Sequence, residues 1–252
     1  MNCATMQQIE MNVESLEREW SFLRIIDNPV LERAGTMDAL QLARILGQYG
    51  QFPKQIVRIF SRALTGLDRA KHAGVVEEMV SNIQEELGIY GADQAAHSNM
   101  IAGPHYLVLR AEVKAWMGVD LNRQLPAAET TTFLSEIETL VSSDSPAIIC
   151  GALLALEASA IGELRVVREI ARRLEVTSGK VMSDELVRFF EYHANVIEVG
   201  HRDRLLKCVA DCFVTQEDED ECMRGMTGVL SAMERWWSAL ATSASVGHAV
   251  HS

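Results

Sequence analysis

Proline and aromatic residues are scarce in this chain of 252 residues, which has 5 prolines and only 6% Phe, Trp and Tyr. Few prolines leave long stretches able to keep an unbroken helical ladder, and no segment shows the sustained period-two alternation of a half-buried strand. No Pro-, Gly- or Ser-rich linker divides the chain, and a hydrophobic content of 48% suffices for one sizeable core. These absences predict an all-α protein, a single helical domain over residues 1–252 with flexible ends at 1–10 and 241–252.

Clustered positive charge is also missing. The formal net charge is -12, which argues against nucleic acid as a partner, because phosphate binding requires grouped Lys and Arg. The longest apolar run, residues 147–156, is about half of what spans hydrocarbon and ends at Glu157, so no membrane partner is expected. Residues 1–18 carry three glutamates and no apolar core of signal-peptide type, which predicts a cytoplasmic protein. The five cysteines, Cys3, Cys150, Cys208, Cys212 and Cys222, are odd in number and lack CxxC spacing, so reduced structural thiols are expected.

Helical periodicity and capping signals divide the chain as follows. An amphipathic helix over 11–26 is ended by Asn28 and Pro29. Thr36 caps a second through Tyr49, with Leu40, Ala43 and Leu46 on its apolar face. Pro53 opens a third through Leu67, and 71–87 forms a fourth. After a loop over 89–96, a helix begins at His97 and resumes beyond Pro104 to Met117. Residues 130–141 make another, Ser145 and Pro146 start a long helix to Arg173, and Ser183 caps one from Asp184 to about Cys212. The last runs over 217–240, with Met223, Met226, Val229, Leu230, Met233 and Trp237 along one core-facing stripe.

Against this apolar pattern, several polar residues stand out. The segment 189–204, FFEYHANVIEVGHRDR, places His193, Glu198 and His201 within a helix whose apolar residues are Leu186, Phe189, Phe190, Val196, Ile197 and Val199. Glu198 and His201 lie about 60° apart around a helix and can share a metal ion. His193 would lie about 140° from Glu198 on a regular helix, so joining them requires one inserted residue, a π-bulge. Glu157 sits at the centre of the apolar run AIICGALLALEASAIGEL, where a lone carboxylate costs several kcal/mol unless it is neutralised, paired with an arginine such as Arg58 or Arg62, or bound to a cation. Glu86, at a helix end before Gly88, and His97 across the loop add one carboxylate and one imidazole. Mixed nitrogen and oxygen donors of this kind suit non-haem iron or manganese in a helical bundle.

The succession EELG, a histidine about ten residues on, GALLALE, FFxxH and then ExxH resembles the haem-oxygenase-like di-iron oxidases, related in fold to TenA thiaminases, PqqC and CADD-like proteins. The resemblance runs from QYGQFP to HRDRL. It implies a haem-oxygenase-like helical bundle and the metal ligands Glu86, His97, Glu157, His193, Glu198 and His201. Glu86 is preferred to Glu85 because the family ligand stands two residues before the glycine. The chain departs from the family in its last three ligands, HxxxxExxH in place of HxxxDxxH. No histidine precedes His72, which argues against the haem-binding relatives.

The resemblance further implies an enzyme using two Fe(II) ions per chain and O2 as co-substrate, with Glu157 as its catalytic carboxylate. Its partner would be a small-molecule substrate, an amino acid or derivative, oxidised by N-oxygenation, desaturation or C–C cleavage in natural-product biosynthesis. An external electron donor and a homodimer are compatible with this reading. Arg58, Arg62, Arg165 and Arg168 are the candidates to hold a substrate carboxylate. The alternatives are a fatty-acid decarboxylase of the same family, a metal-free TenA-like hydrolase using Cys150 or Cys208, and a non-enzymatic helical binding protein.

Overall fold

In the computed structural model the described residues are Ile9, 13–16, 18–87, 106–213 and 215–246. They are helical with no strand among them, as the sequence predicts. Ten helices are labelled here: α1 (Pro29–Arg33), α2 (Ala39–Tyr49), α3 (Ile56–Thr65), α4 (Ala73–Glu86), α5 (Tyr106–Met117), α6 (Ala128–Val141), α7 (Pro146–Ser178), α8 (Asp184–Tyr192), α9 (Glu198–Cys212) and α10 (Gln216–Val246). A π-helical turn, His193–Ile197, joins α8 to α9.

α7 is the axis of the bundle. Ser145 accepts from the amide of Ile148 at its start, Pro146 occupies the first turn, and Gly179 ends it in the left-handed region at φ 67. By length and composition it could cross a membrane, but 89% of its most apolar window is buried inside the protein, so it serves as the core helix. α10, α9, α2 and α6 pack around it. Against α10 the approach is very close: a Cβ on Gly151 would come within 1.9 Å of the Cys222 carbonyl oxygen, and one on Gly225 within 2.2 Å of that of Ile148. Two glycines facing opposite backbones let these helices touch.

Several boundaries differ from the sequence expectation. Asn28 does not end a helix. Its side chain caps α1 by accepting from the amides of Val30 and Leu31, while it donates to the Phe22 carbonyl. Asp38, not Thr36, caps α2 through a reciprocal box with Gln41, which turns Leu40 to 41% exposure. Ala43 and Leu46 are buried as expected, and Leu42, Ile45 and Tyr49 complete that face. α10 continues past the expected stop at Leu240, and Ala241 is buried, so the flexible end does not begin there. His97 and the expected helix start there lie outside the described residues.

The π-turn also moves apolar residues. Val196 is 52% exposed, and Ile197 and Val199 are half-buried, because the extra residue rotates them away from the core face. Leu186, Phe189 and Phe190 remain buried as expected.

Candidate metal centre

Three helices bring carboxylates and imidazoles together in the middle of this bundle. α7 contributes Glu157, α9 contributes Glu198 and His201 one turn apart, and the last turn of α4 contributes Glu85 and Glu86. One ligand atom from each of Glu157, Glu198 and His201 lies within 4.8 Å of the others, and all three residues are buried. The His201 Nδ1 is 3.5 Å from Glu157 Oε2 and 4.0 Å from Glu198 Oε2, while its Nε2 is 3.0 Å from Glu85 Oε2. The ring is thus oriented from behind by Glu85 and presents Nδ1 to the Glu157–Glu198 pair. Metal-ligating histidines are commonly held this way.

The sequence expectation preferred Glu86 to Glu85. In the structure both lie at the site with different surroundings. Glu86 lines the cavity with Glu157, Glu198 and His201, and Glu85 meets the imidazole. An ion pair between Glu78 on α4 and Arg204 on α9, at 2.9 Å, ties the two ligand-bearing helices together.

His193 is buried at the junction of α8 and the π-turn. Its Nδ1 lies 2.9 Å from the Phe189 carbonyl oxygen, and its ring lies against that of Phe189. A carbonyl can only accept, so Nδ1 carries the proton and Nε2 keeps its lone pair. Burial pushes this imidazole down to about 4, opposed in part by that hydrogen bond, so it is neutral at pH 7. The amide of Glu198 donates to the His193 carbonyl, which is the five-residue hydrogen bond of the π-turn.

The electrostatics of the cluster are those of too many carboxylates in too little water. Burial pushes Glu86 up to about 8, and the neighbouring Glu157 adds to it. Glu198 is raised to about 8 for the same two reasons, in the same order. Burial alone would depress His201, but its hydrogen bonds to Glu157 and Glu85 overcome this and raise it to about 10. Without metal, protons hold the charge down.

The cluster opens on a cavity whose other walls are mostly apolar and aromatic, including Tyr49, Phe60, Leu164, Phe189 and Phe190. The four arginines considered for a substrate carboxylate do not line it. Arg58 reaches Glu138, Arg62 reaches Ser142 and Arg168 reaches Glu191, each on the outside of the bundle, and Arg165 is exposed. Each points outward because it sits opposite its helix's apolar stripe. Glu157 accordingly has no pairing with Arg58 or Arg62; its partner is His201. Cys150 and Cys208 do not border the cavity either, and burial raises both thiols, Cys150 far more, so the hydrolase alternative loses its nucleophile.

Two lining residues were missed by sequence reasoning. Glu163, fully inside α7, accepts from Trp237 Nε1 at 3.0 Å, and burial pushes it up to about 7. The argument that singled out Glu157 applies equally to it. Asn82 lines the cavity one turn before Glu86, and among the described residues neither its Nδ2 nor its Oδ1 has a partner. An asparagine within an ordinary helix gives no comparable signal.

A family model described as a domain of unknown function with solved structure, DUF3865, matches residues 6–243. The chain belongs to the DUF3865 family. No curated protein matches it. This DUF3865 protein is similar to a CADD-like protein of unknown function from Nostoc punctiforme PCC 73102, solved twice. One of those structures has a TM-score of 0.82 and 25% identity over 95% of this chain and 98% of the other. The second also has a TM-score of 0.82, with 24% identity over 98% and 99%. A haem-oxygenase-like domain of unknown function from Shewanella denitrificans OS217 has a TM-score of 0.63 and 16% identity over 94% and 92%. The expected haem-oxygenase-like fold and family resemblance are therefore correct for this DUF3865 protein.

Proposed function

We propose that this protein is a non-haem di-iron oxidase or oxygenase that uses O2 to oxidise a small amino-acid-like molecule. The observation that carries the reading is the buried Glu157, Glu198 and His201 triad, whose ligand atoms lie within 4.8 Å of one another at the head of a cavity. The donor set fits: hard carboxylates with imidazole suit ferrous iron, and the raised Glu86 and Glu198 mark a site where a divalent cation would relieve crowded negative charge. Glu157, Glu198 and His201 would hold one ion, with Glu86, His193 and His97 completing the set for two.

When bound, ferrous iron supplies the electrons and open coordination positions for reducing dioxygen. The chain's own residues do the remainder. Glu85 fixes the His201 ring, the Phe189 carbonyl fixes the tautomer of His193, and the apolar wall excludes water from the reacting centre. Glu157, on the core helix and beside His201, is the residue on which catalysis would most depend. The setting is cytoplasmic biosynthesis of a small metabolite, with electrons from an external donor.

Anaerobic titration with ferrous iron, followed by exposure to O2 while dissolved oxygen is recorded, tests the reading. Two iron ions per chain and oxygen consumption that vanishes in Glu157→Ala are expected. A chain that takes up no iron, or an iron-loaded chain that consumes no oxygen, would overturn it.

A further inference from the structure

The cavity contains a second polar station that the metal cluster does not use. Glu163 follows Glu157 by six residues on α7, which separates their backbones by about 9 Å along the helix axis. It borders the same cavity, with its carboxyl held by Trp237. Leu164 and Val167 continue the wall beyond it. A carboxyl this deeply buried, away from the metal cluster and beside apolar wall residues, is costly for the fold unless something there gains from it.

The charges around the cavity decide what that something is. Among the described residues its lining includes Glu86, Glu157, Glu163 and Glu198 but no Lys or Arg. The intervening stretch 88–105 contains no Lys or Arg in its sequence either. The one charged imidazole in the lining, His201, is taken up by Glu85 and Glu157 at the other end, so a ligand carboxylate at the Glu163 end would meet a buried carboxyl, whereas a protonated amine would form a charge-assisted hydrogen bond. Burial raises Glu163 to about 7, so it holds its proton longer than an ordinary carboxyl, but an alkylamine is a stronger base still and takes that proton on arrival. Asn82 supplies the complementary anchor near Glu86, where its unsatisfied carboxamide offers one donor group and one acceptor.

We infer that the cavity binds an apolar amine, with the amino group on Glu163, the hydrocarbon body along Leu164, Phe189 and Phe190, and the far end at Asn82 beside the metal cluster. That such an amine is the substrate rests on the oxidase reading. Its binding does not. The inference narrows the amino-acid-like class to molecules recognised through nitrogen, with a carboxylate absent or masked.

The test compares n-hexylamine, 1-hexanol and hexanoate by isothermal titration calorimetry, using the protein as isolated and after anaerobic loading with ferrous iron. The Trp237 indole N–H resonance is followed in parallel. A buried charge-assisted contact predicts that the amine binds roughly tenfold or more tightly than the alcohol, with hexanoate weakest. Binding at Glu163 also shifts the Trp237 signal. Glu163→Gln keeps an oxygen for Trp237 and should level amine with alcohol, whereas Asn82→Leu, which meets only the terminal methyl of these probes, should leave the preference for amine intact. Hexylamine could instead contact the carboxylates of an iron-free cluster; a preference that survives in Glu163→Gln assigns it there and overturns the proposal. Equal binding of all three probes, or hexanoate tightest, overturns it as well. If the amine preference is present and depends on Glu163 but no oxygen is consumed, the oxidase reading fails and the binding site stands. Oxygen consumption without amine preference removes the amine site and leaves the oxidase reading in place.

Discussion

The backbone N–H of Glu198 donates to the carbonyl oxygen of His193, five residues earlier. That one hydrogen bond is the hinge of the candidate site, because it replaces the usual four-residue step and so re-aims every side chain after it. A π-turn is weaker than the α-helix around it, and metal held on both sides would tie it down. Amide exchange over 194–198, read by mass spectrometry, is therefore expected to slow when ferrous iron is added anaerobically. At about 100 times Kd the linkage is ~2.7 kcal/mol, or roughly a hundredfold for openings that break the site. Unchanged exchange in an iron-loaded sample would mean that the turn and the metal are independent.

The turn was legible in the sequence because the spacing of His193 and Glu198 is wrong for a regular helix if both serve one centre. Glu157 was legible as well, since a carboxylate amid Ala and Leu has few explanations. What failed to transfer were inferences from one helix alone. The arginines lie on helices near the core, but periodicity gives a face and not the neighbour opposite it, and Arg58 and Arg62 turned toward α6 and the turn that follows it. Val196 was assigned to the core by a ruler of 3.6 residues that the π-turn itself invalidates. The role of Asn82 depends on which helices cross beside it, a tertiary fact without a local signature.

Glu198 is already held largely protonated at pH 7 by burial and by Glu157. Glu198→Gln should therefore leave the metal-free protein within about 0.5 kcal/mol of the wild type in urea denaturation. Iron affinity should fall roughly 10- to 100-fold or more, since an amide cannot neutralise the cation. A variant that binds iron normally would remove Glu198 from the ligand set.

The same raised groups make metal binding a proton-releasing reaction. Glu86 and Glu198 at about 8 and His201 at about 10 must lose protons to become ligands. Affinity for a divalent probe such as Mn(II) should therefore rise from pH 6 to pH 8. Calorimetry in buffers of different ionisation enthalpy should show net proton release at pH 7. A pH-independent affinity would place the metal elsewhere.

Gly151 and Gly225 set the spacing of α7 and α10. A methyl group at 151 would overlap the Cys222 carbonyl, a backbone atom that cannot rotate away, so the helices must separate. Gly151→Ala should lose about 1–3 kcal/mol, as overpacked cores do, despite the better helix propensity of alanine. Equal or greater stability in thermal melts would show that the contact is looser than the structure has it.

Glu163 offers a stability measurement that is separate from the metal. Its carboxyl is raised from the usual 4.5 to about 7 by burial, with Trp237 donating to it in partial opposition. Between those pH values the folded protein keeps a proton that the unfolded chain has released. Stability must therefore fall as pH rises across this window, and it levels off above it. The full shift corresponds to a loss of about 3 kcal/mol at most. Glu163→Gln retains an acceptor for Trp237 and cannot ionise, so the variant should gain on the wild type from pH 4.5 to 7 and hold that gain at pH 8. Comparing the two in metal-free form cancels the titration of Glu86, Glu198 and His201, which both proteins share. Urea denaturation at four or five pH values is enough. Parallel curves for the two proteins would show that Glu163 ionises in the fold as easily as it does in the unfolded chain, and that water reaches the aromatic end of the cavity.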